Sequence, residues 1–190
     1  MSLIEVIAVL FSLICIILAV KKHVLNWPVG IIGVSAYLIL FYRERLYADM
    51  MLQIVFIIQG IYGWYNWQHN NQEQHDLQVG YLSNRQRFFY LFIIAAFSTG
   101  WFLLLKYYSN ASLPLVDSLA ATISLVANWM MARKYIENWI LWITVDLIYI
   151  ALFWYKSLYL SSGIYVVFLF LALKGWTDWN KKRNIQEASF

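Results

Sequence analysis

Seven apolar stretches, each close to the length that crosses a bilayer, follow one another along the chain with short polar islands between them. About 20 mostly apolar residues carry a helix across the hydrocarbon core, within a range of roughly 17–25. In lipid, backbone amides must find partners inside their own segment, so such stretches fold as helices rather than open sheets. They are Leu3–Val20, Trp27–Tyr42, Tyr47–Trp67, Phe88–Leu105, Leu115–Ala132, Trp139–Tyr155 and Leu158–Trp179. Composition agrees, with 62% of residues hydrophobic and 13% charged, against about 25% charged in soluble domains. The sequence predicts an all-α integral membrane protein with seven transmembrane helices.

The first stretch has Glu5 where a signal peptide has basic residues, and Lys21-Lys22-His23 follows it instead of small residues. It reads as a retained helix. Cys15 is the one cysteine, which rules out an internal disulfide. The net charge of +4 comes from basic residues at helix ends, a pattern of membrane orientation and not of nucleic-acid binding. With the N-terminus outside, the inner segments hold nine Lys and Arg and the outer ones four. The positive-inside rule then places the C-terminus inside, in a bacterial cytoplasmic membrane. The longest island, Gln68–Arg87, is polar and reads as mobile. Its His69 and His75 are too loosely placed to suggest a metal site, and no cofactor is expected.

The chain also resembles itself. Slid along itself in one fixed register without gaps, Asn26-Trp27 falls on Asn138-Trp139, Tyr37 and Phe41 on Tyr149 and Phe153, Leu46-Tyr47 on Leu158-Tyr159, and Gly63-Trp64 with Trp67 on Gly175-Trp176 with Trp179. Matches that include Trp, Gly, Asn and loop residues in one register imply duplication. Each repeat spans three helices, and the Phe88–Leu105 helix between them keeps the two parallel. The expected organisation is a first repeat (1–67), a loop with linker helix (68–112), a second repeat (113–180) and a basic tail (181–190). Parallel repeats are a transporter plan, with the site near the midplane between the halves.

Polar residues inside the spans mark that site. Asp146 lies well within the sixth stretch. A carboxylate at the bilayer centre costs about 2.5–3.5 kcal/mol on insertion scales, so it faces a cavity or a partner. Trp139, Trp142, Asp146 and Tyr149 are spaced to share one helical face. Three aromatics and an anion suit an organic cation. The matching positions in the first repeat include Gly30 for Trp142 and Val34 for Asp146, so the halves share a frame but not a site. Gln53, Gln59 and Asn128 are further candidates, each able to bond a ligand or a neighbouring helix. Trp64, Trp67, Trp176 and Trp179 close the third and seventh stretches on the inner side. There they read as an interfacial aromatic belt and a candidate inner gate.

No HExxH, GxSxG or Cys–His pairing occurs in the spans, which argues against an enzyme. A retinal-type seven-helix receptor would need its lysine mid-membrane, and Lys174 lies near the inner end. The 3+1+3 plan, LYADMMLQ (Leu46–Gln53) and ARKYIENWILW (Ala132–Trp142) resemble the PnuC family of vitamin transporters over nearly the whole chain. The resemblance implies a SWEET-like pair of three-helix bundles and facilitated diffusion of one vitamin, trapped by a cytoplasmic kinase that phosphorylates it. The family carries nicotinamide riboside, thiamine or riboflavin. Its ligand-binding tryptophan and amide on the sixth helix fall on Trp142 and Asp146. Aspartate in place of the amide favours thiamine slightly over nicotinamide riboside, and a neutral riboflavin least. A homo-oligomer is compatible with the sequence.

Overall fold

The computed structural model describes residues 3–43, 45–72, 79–108 and 113–187. Seven helices are present among these residues: α1 (Leu3–Val20), α2 (Asn26–Arg43), α3 (Tyr47–Gln72), α4 (Asn84–Tyr108), α5 (Pro114–Ala132), α6 (Asn138–Tyr155) and α7 (Tyr159–Glu187). Five of them, α1, α4, α5, α6 and α7, are long and apolar enough to cross a membrane. The sequence predicts seven spans. The other two helices are less apolar because α2 opens on Asn26-Trp27-Pro28 and α3 carries Gln53, Gln59 and Asn66. Pro28 and Pro114 sit in first turns, where a missing N–H leaves no broken bond.

Four tight turns end helices in the same way. Lys22, Arg45, Lys134 and Ser157 have φ of 58°, 59°, 55° and 60°, the left-handed region in which a helix closes on itself. In each turn the following amide bonds back to a carbonyl of the helix just ended: His23 to Leu18, Leu46 to Phe41, Tyr135 to Met130 and Leu158 to Phe153, at 2.8–3.0 Å. The turns at Lys22 and Lys134 fall on each other when the sequence is slid along itself, and so do those at Arg45 and Ser157.

Helix α1 packs on α2 and α2 on α3, while α5 packs on α6 and α6 on α7. Two cross-contacts join these groups, α3 with α5 and α1 with α7, and α4 packs against α5. Helix α5 is the most enclosed of the five apolar spans, and its Ala120, Ala121, Ser124 and Ala127 let neighbouring backbones approach closely. Outward faces stay apolar. Phe88, Phe92 and Phe97 of α4 are each about two-thirds exposed or more, as lipid contact requires.

Trp27, Trp67, Trp139 and Trp179 form part of a buried core. Trp67 and Trp179 are 1% and 0% exposed, which corrects their reading as an interfacial belt. The cause is a glycine slot one turn earlier on the same helix. A Cβ on Gly63 would lie 2.5 Å from the Trp27 ring, and one on Gly175 2.6 Å from the Trp139 ring. Without side chains there, Trp27 and Trp139 fold flat onto α3 and α7. Trp67 then meets Trp27 edge-on at 5.5 Å and 88°, and Trp179 meets Trp139 at 5.5 Å and 85°. The Trp67 indole N–H donates to the Ala132 carbonyl at 3.1 Å, and that of Trp179 to the Ala19 carbonyl at 3.3 Å. Lys134 lies 5.1 Å from the Trp67 ring and Lys22 5.3 Å from the Trp179 ring. Trp64 remains 40% exposed and Trp176 packs partly against this core.

The island between α3 and α4 is shorter than the sequence suggests. Helix α3 continues to Gln72, and the His69 ring lies against that of Tyr65. His75 lies outside the described residues. Gly80 pairs with the α5–α6 turn, accepting from the Ile136 amide at 2.9 Å and donating to the Lys134 carbonyl at 3.3 Å. The Leu82 amide donates to the Glu137 carboxylate at 3.0 Å, and Arg87 donates to it at 3.0 Å. Tyr81 hydrogen-bonds Asn180 of α7. Gly80, Tyr81 and Leu82 are therefore pinned rather than loose.

Candidate substrate cavity

A cavity of about 690 Å³ lies between α1, α2, α3, α5, α6 and α7, within the usual range of small-molecule sites. The face predicted from helical spacing is one of its walls: Trp139, Trp142, Asp146 and Tyr149 all line it. Trp27, Gly30, Val34 and Tyr37, which fall on them when the sequence is slid along itself, line it too. Gly30 is glycine for a packing reason, since a Cβ there would lie 2.9 Å from Cys15 Sγ. Cys15 itself donates to the Asn26 carbonyl at 3.2 Å.

The wall is acidic. Glu5 and Asp49 line the cavity with Asp146, and no Lys, Arg or His does among the described residues. Asp146 is 5% exposed and has no hydrogen-bond or ion-pair partner among the described residues. Structural glue, the alternative role, would have shown such a partner. Removing an ionised carboxylate from water without compensation is expensive, so Asp146 holds a full charge there only with a positive group from a ligand beside it.

Aromatic rings flank that carboxylate. Tyr149 lies 4.8 Å from Tyr165 and stacks on Phe153 at 5.7 Å. The indole N–H groups of Trp27, Trp139 and Trp142 are buried and unpaired. Native proteins rarely leave buried donors unused, so this side of the cavity holds donors as well as rings.

Gln53 and Asn128 also line the cavity, as the sequence suggests. Gln59 does not, and its assignment as a ligand-contacting residue is corrected. Its side chain turns toward α5, accepting from Asn128 Nδ2 at 2.9 Å and donating to the Leu125 carbonyl at 3.2 Å. It sits off the Asp49, Gln53, Phe56 and Gly60 face that lines the cavity. Trp64, Trp67, Trp176 and Trp179 are not wall residues; Trp67 and Trp179 pack behind Trp27 and Trp139.

Sequence reasoning missed Glu5, Asp49 and Tyr165. A signal existed for Asp49, which stands one turn before Gln53 on the same face. Tyr165 falls on Gln53 in the same sequence register, and both line the cavity.

Comparison with known proteins places this geometry. The family model described as nicotinamide mononucleotide transporter matches residues 2–181. The nicotinamide riboside transporter PnuC of Escherichia coli (strain K12) is 29% identical over 204 residues, spanning 94% of this chain and 85% of that protein. The riboflavin/roseoflavin transporter RibM of Streptomyces davaonensis is 27% identical over 173 residues, spanning 90% of this chain and 81% of that protein. The crystal structure of the vitamin B3 transporter PnuC shares the fold, with a TM-score of 0.76 at 24% identity over 95% of this chain and 82% of that one. These relatives move small molecules and are not enzymes. With its helices, its central cavity and a match running almost from end to end, the chain belongs to the nicotinamide mononucleotide transporter family, the family of the PnuC transporters.

Proposed function

We propose that this protein is a facilitative carrier of an unphosphorylated cationic B vitamin, thiamine ahead of nicotinamide riboside. The observation that carries the reading is the charge of the wall. It holds three carboxylates, Asp146 among them buried and unpaired, and no cationic side chain among the described residues. Thiamine and nicotinamide riboside both bear a permanent ring cation. Such a ring stacks on Trp142 and Tyr149 while its charge compensates Asp146. Phosphate groups are repelled by the same wall. A vitamin phosphorylated inside the cell is then unable to return, which is how a cytoplasmic kinase would trap it.

The carrier is read as two parallel three-helix units (1–67 and 113–180) joined by a loop and α4 (68–112), in a SWEET-like plan with all seven helices crossing. The contacts that recur in the two units support it: the paired turns and the glycine slots at matching positions, and the Trp67 and Trp179 indole bonds, each to a carbonyl in the last turn of the other unit's first helix. The positive charge at the inner ends supports an N-out, C-in orientation in the cytoplasmic membrane. Trp67 and Trp179 then close the inner end as a gate layer, and a homo-oligomer would pack through the apolar outer faces.

Uptake of labelled thiamine, nicotinamide riboside and riboflavin into proteoliposomes tests this. The two cations should enter without a sodium or proton gradient. Entry of neither would overturn the proposal. Preferential entry of riboflavin would favour the neutral-substrate alternative that kinship with RibM raises.

A further inference from the structure

Gln59 joins the two halves through a short relay whose direction is fixed. Its Nε2 donates to the Leu125 carbonyl at 3.2 Å. A backbone carbonyl only accepts, so the nitrogen of Gln59 must face it, and the oxygen must face Asn128. Asn128 meets that oxygen with Nδ2 at 2.9 Å. The amide of Asn128 therefore has one stable orientation. Its Oδ1 is left without a partner among the described residues, on a side chain that lines the cavity.

We infer that Gln59 is a positioning residue for specificity: it holds Asn128 so that Oδ1 is presented to the cavity as a hydrogen-bond acceptor for an N–H of the transported molecule. The ligand class is a vitamin whose ring carries an exocyclic amine or carboxamide, and this part rests on the function proposed above. The wall then divides its tasks. Asp146 and the aromatic rings address the cationic ring, and Asn128 requires a donor elsewhere on the same molecule. Free to rotate, the Asn128 amide would offer donor or acceptor alike and lose that selectivity. A site that hydrogen-bonds a specific ligand group rejects analogues lacking it, because its own group is then left unpaired.

The competing account is that the relay only ties α3 to α5. Two readouts separate them. In ligand-free protein, nitrogen-15 NMR should show the Asn128 side-chain protons protected from exchange. Gln59→Leu and Gln59→Met should abolish that protection, while Gln59→Glu, whose protonated carboxyl donates to the Leu125 carbonyl and keeps its C=O toward Asn128, should retain it. Next, the dissociation constants of thiamine or nicotinamide riboside are compared with those of the same molecule dimethylated on the exocyclic nitrogen. Their ratio does not depend on the fraction of protein that folds. Wild type and Gln59→Glu should prefer the parent by about tenfold, the worth of one hydrogen bond, and Gln59→Leu by less than about threefold. An unchanged ratio in both Gln59→Leu and Gln59→Met overturns the inference, whatever their stability. Failure of every vitamin to bind wild type removes the functional proposal instead. The exchange measurement then still decides whether Gln59 orients Asn128.

Discussion

Helices α2 and α6 line the same cavity with one frame and two chemistries. Trp27 and Trp139 stand at the same register, each folded over a glycine of the next helix in chain order, Gly63 of α3 and Gly175 of α7. Tyr37 stacks on Phe41 at 5.9 Å and Tyr149 on Phe153 at 5.7 Å. Between these matched ends the halves diverge, with Gly30 and Val34 on one wall and Trp142 and Asp146 on the other. The difference follows from contact. A residue wedged against its own half cannot change without a collision, whereas a residue facing open space can. Identity at Trp27 and Trp139 therefore follows from packing, whereas Trp142 and Asp146 stand on open cavity wall, where a departure meets no collision.

The glycine slots give the sharpest way to break this comparison. Gly63→Ala and Gly175→Ala place a methyl 2.5 Å and 2.6 Å from a rigid indole. Both should lower stability by about 3 kcal/mol, the upper end of overpacking costs. Unfolding of the detergent-purified variants, followed by helical ellipticity, measures it. Tolerance of one and not the other would show that the two cores are not equivalent.

A second test concerns a place where the halves differ. Glu137 clamps the Leu82 amide and Arg87 beside the α5–α6 turn. Its register partner Leu25 is half-exposed and has no carboxylate to offer. Glu137→Gln should lower the local opening free energy at Leu82 by about 1 kcal/mol, since a charged acceptor is replaced by a neutral one. Amide hydrogen exchange reads this directly. Exchange at His23 and Val24 in the opposite turn should stay as in wild type.

The smallest effect lies at the turns. Arg45 and Ser157 both adopt left-handed backbone, which costs a non-glycine residue roughly 1 kcal/mol. Arg45→Gly and Ser157→Gly should each stabilise by about 0.5 kcal/mol once the greater chain entropy of glycine is set against that relief. Thermal melting measures it, and a loss of stability in either would mean that its side chain has a role the backbone does not reveal.

Much of this frame was legible because helical spacing is local. The face Trp139, Trp142, Asp146 and Tyr149 needs only the helical period, and the internal repeat needs only the letters. What was not legible depends on which helix lies opposite. Trp67 and Trp179 sit near helix ends, where tryptophan commonly marks an interface, and only the packing of Trp27 and Trp139 reveals them as core. Gln59 and Gln53 are alike in sequence, yet one turns to α5 and the other to the cavity. Glu5 and Asp49 read as helix-end charges until α1 and α3 are placed around one space.

The central claim is that Asp146 makes the divergent wall select a cation. Calorimetric binding of thiamine, nicotinamide riboside and riboflavin to wild type and to Asp146→Asn tests it most directly. The account expects both cations to bind wild type more tightly than riboflavin, and Asp146→Asn to weaken them by about tenfold or more while leaving riboflavin nearly unchanged. Equal or tighter binding of riboflavin by wild type, or cation affinities untouched by Asp146→Asn, would contradict it.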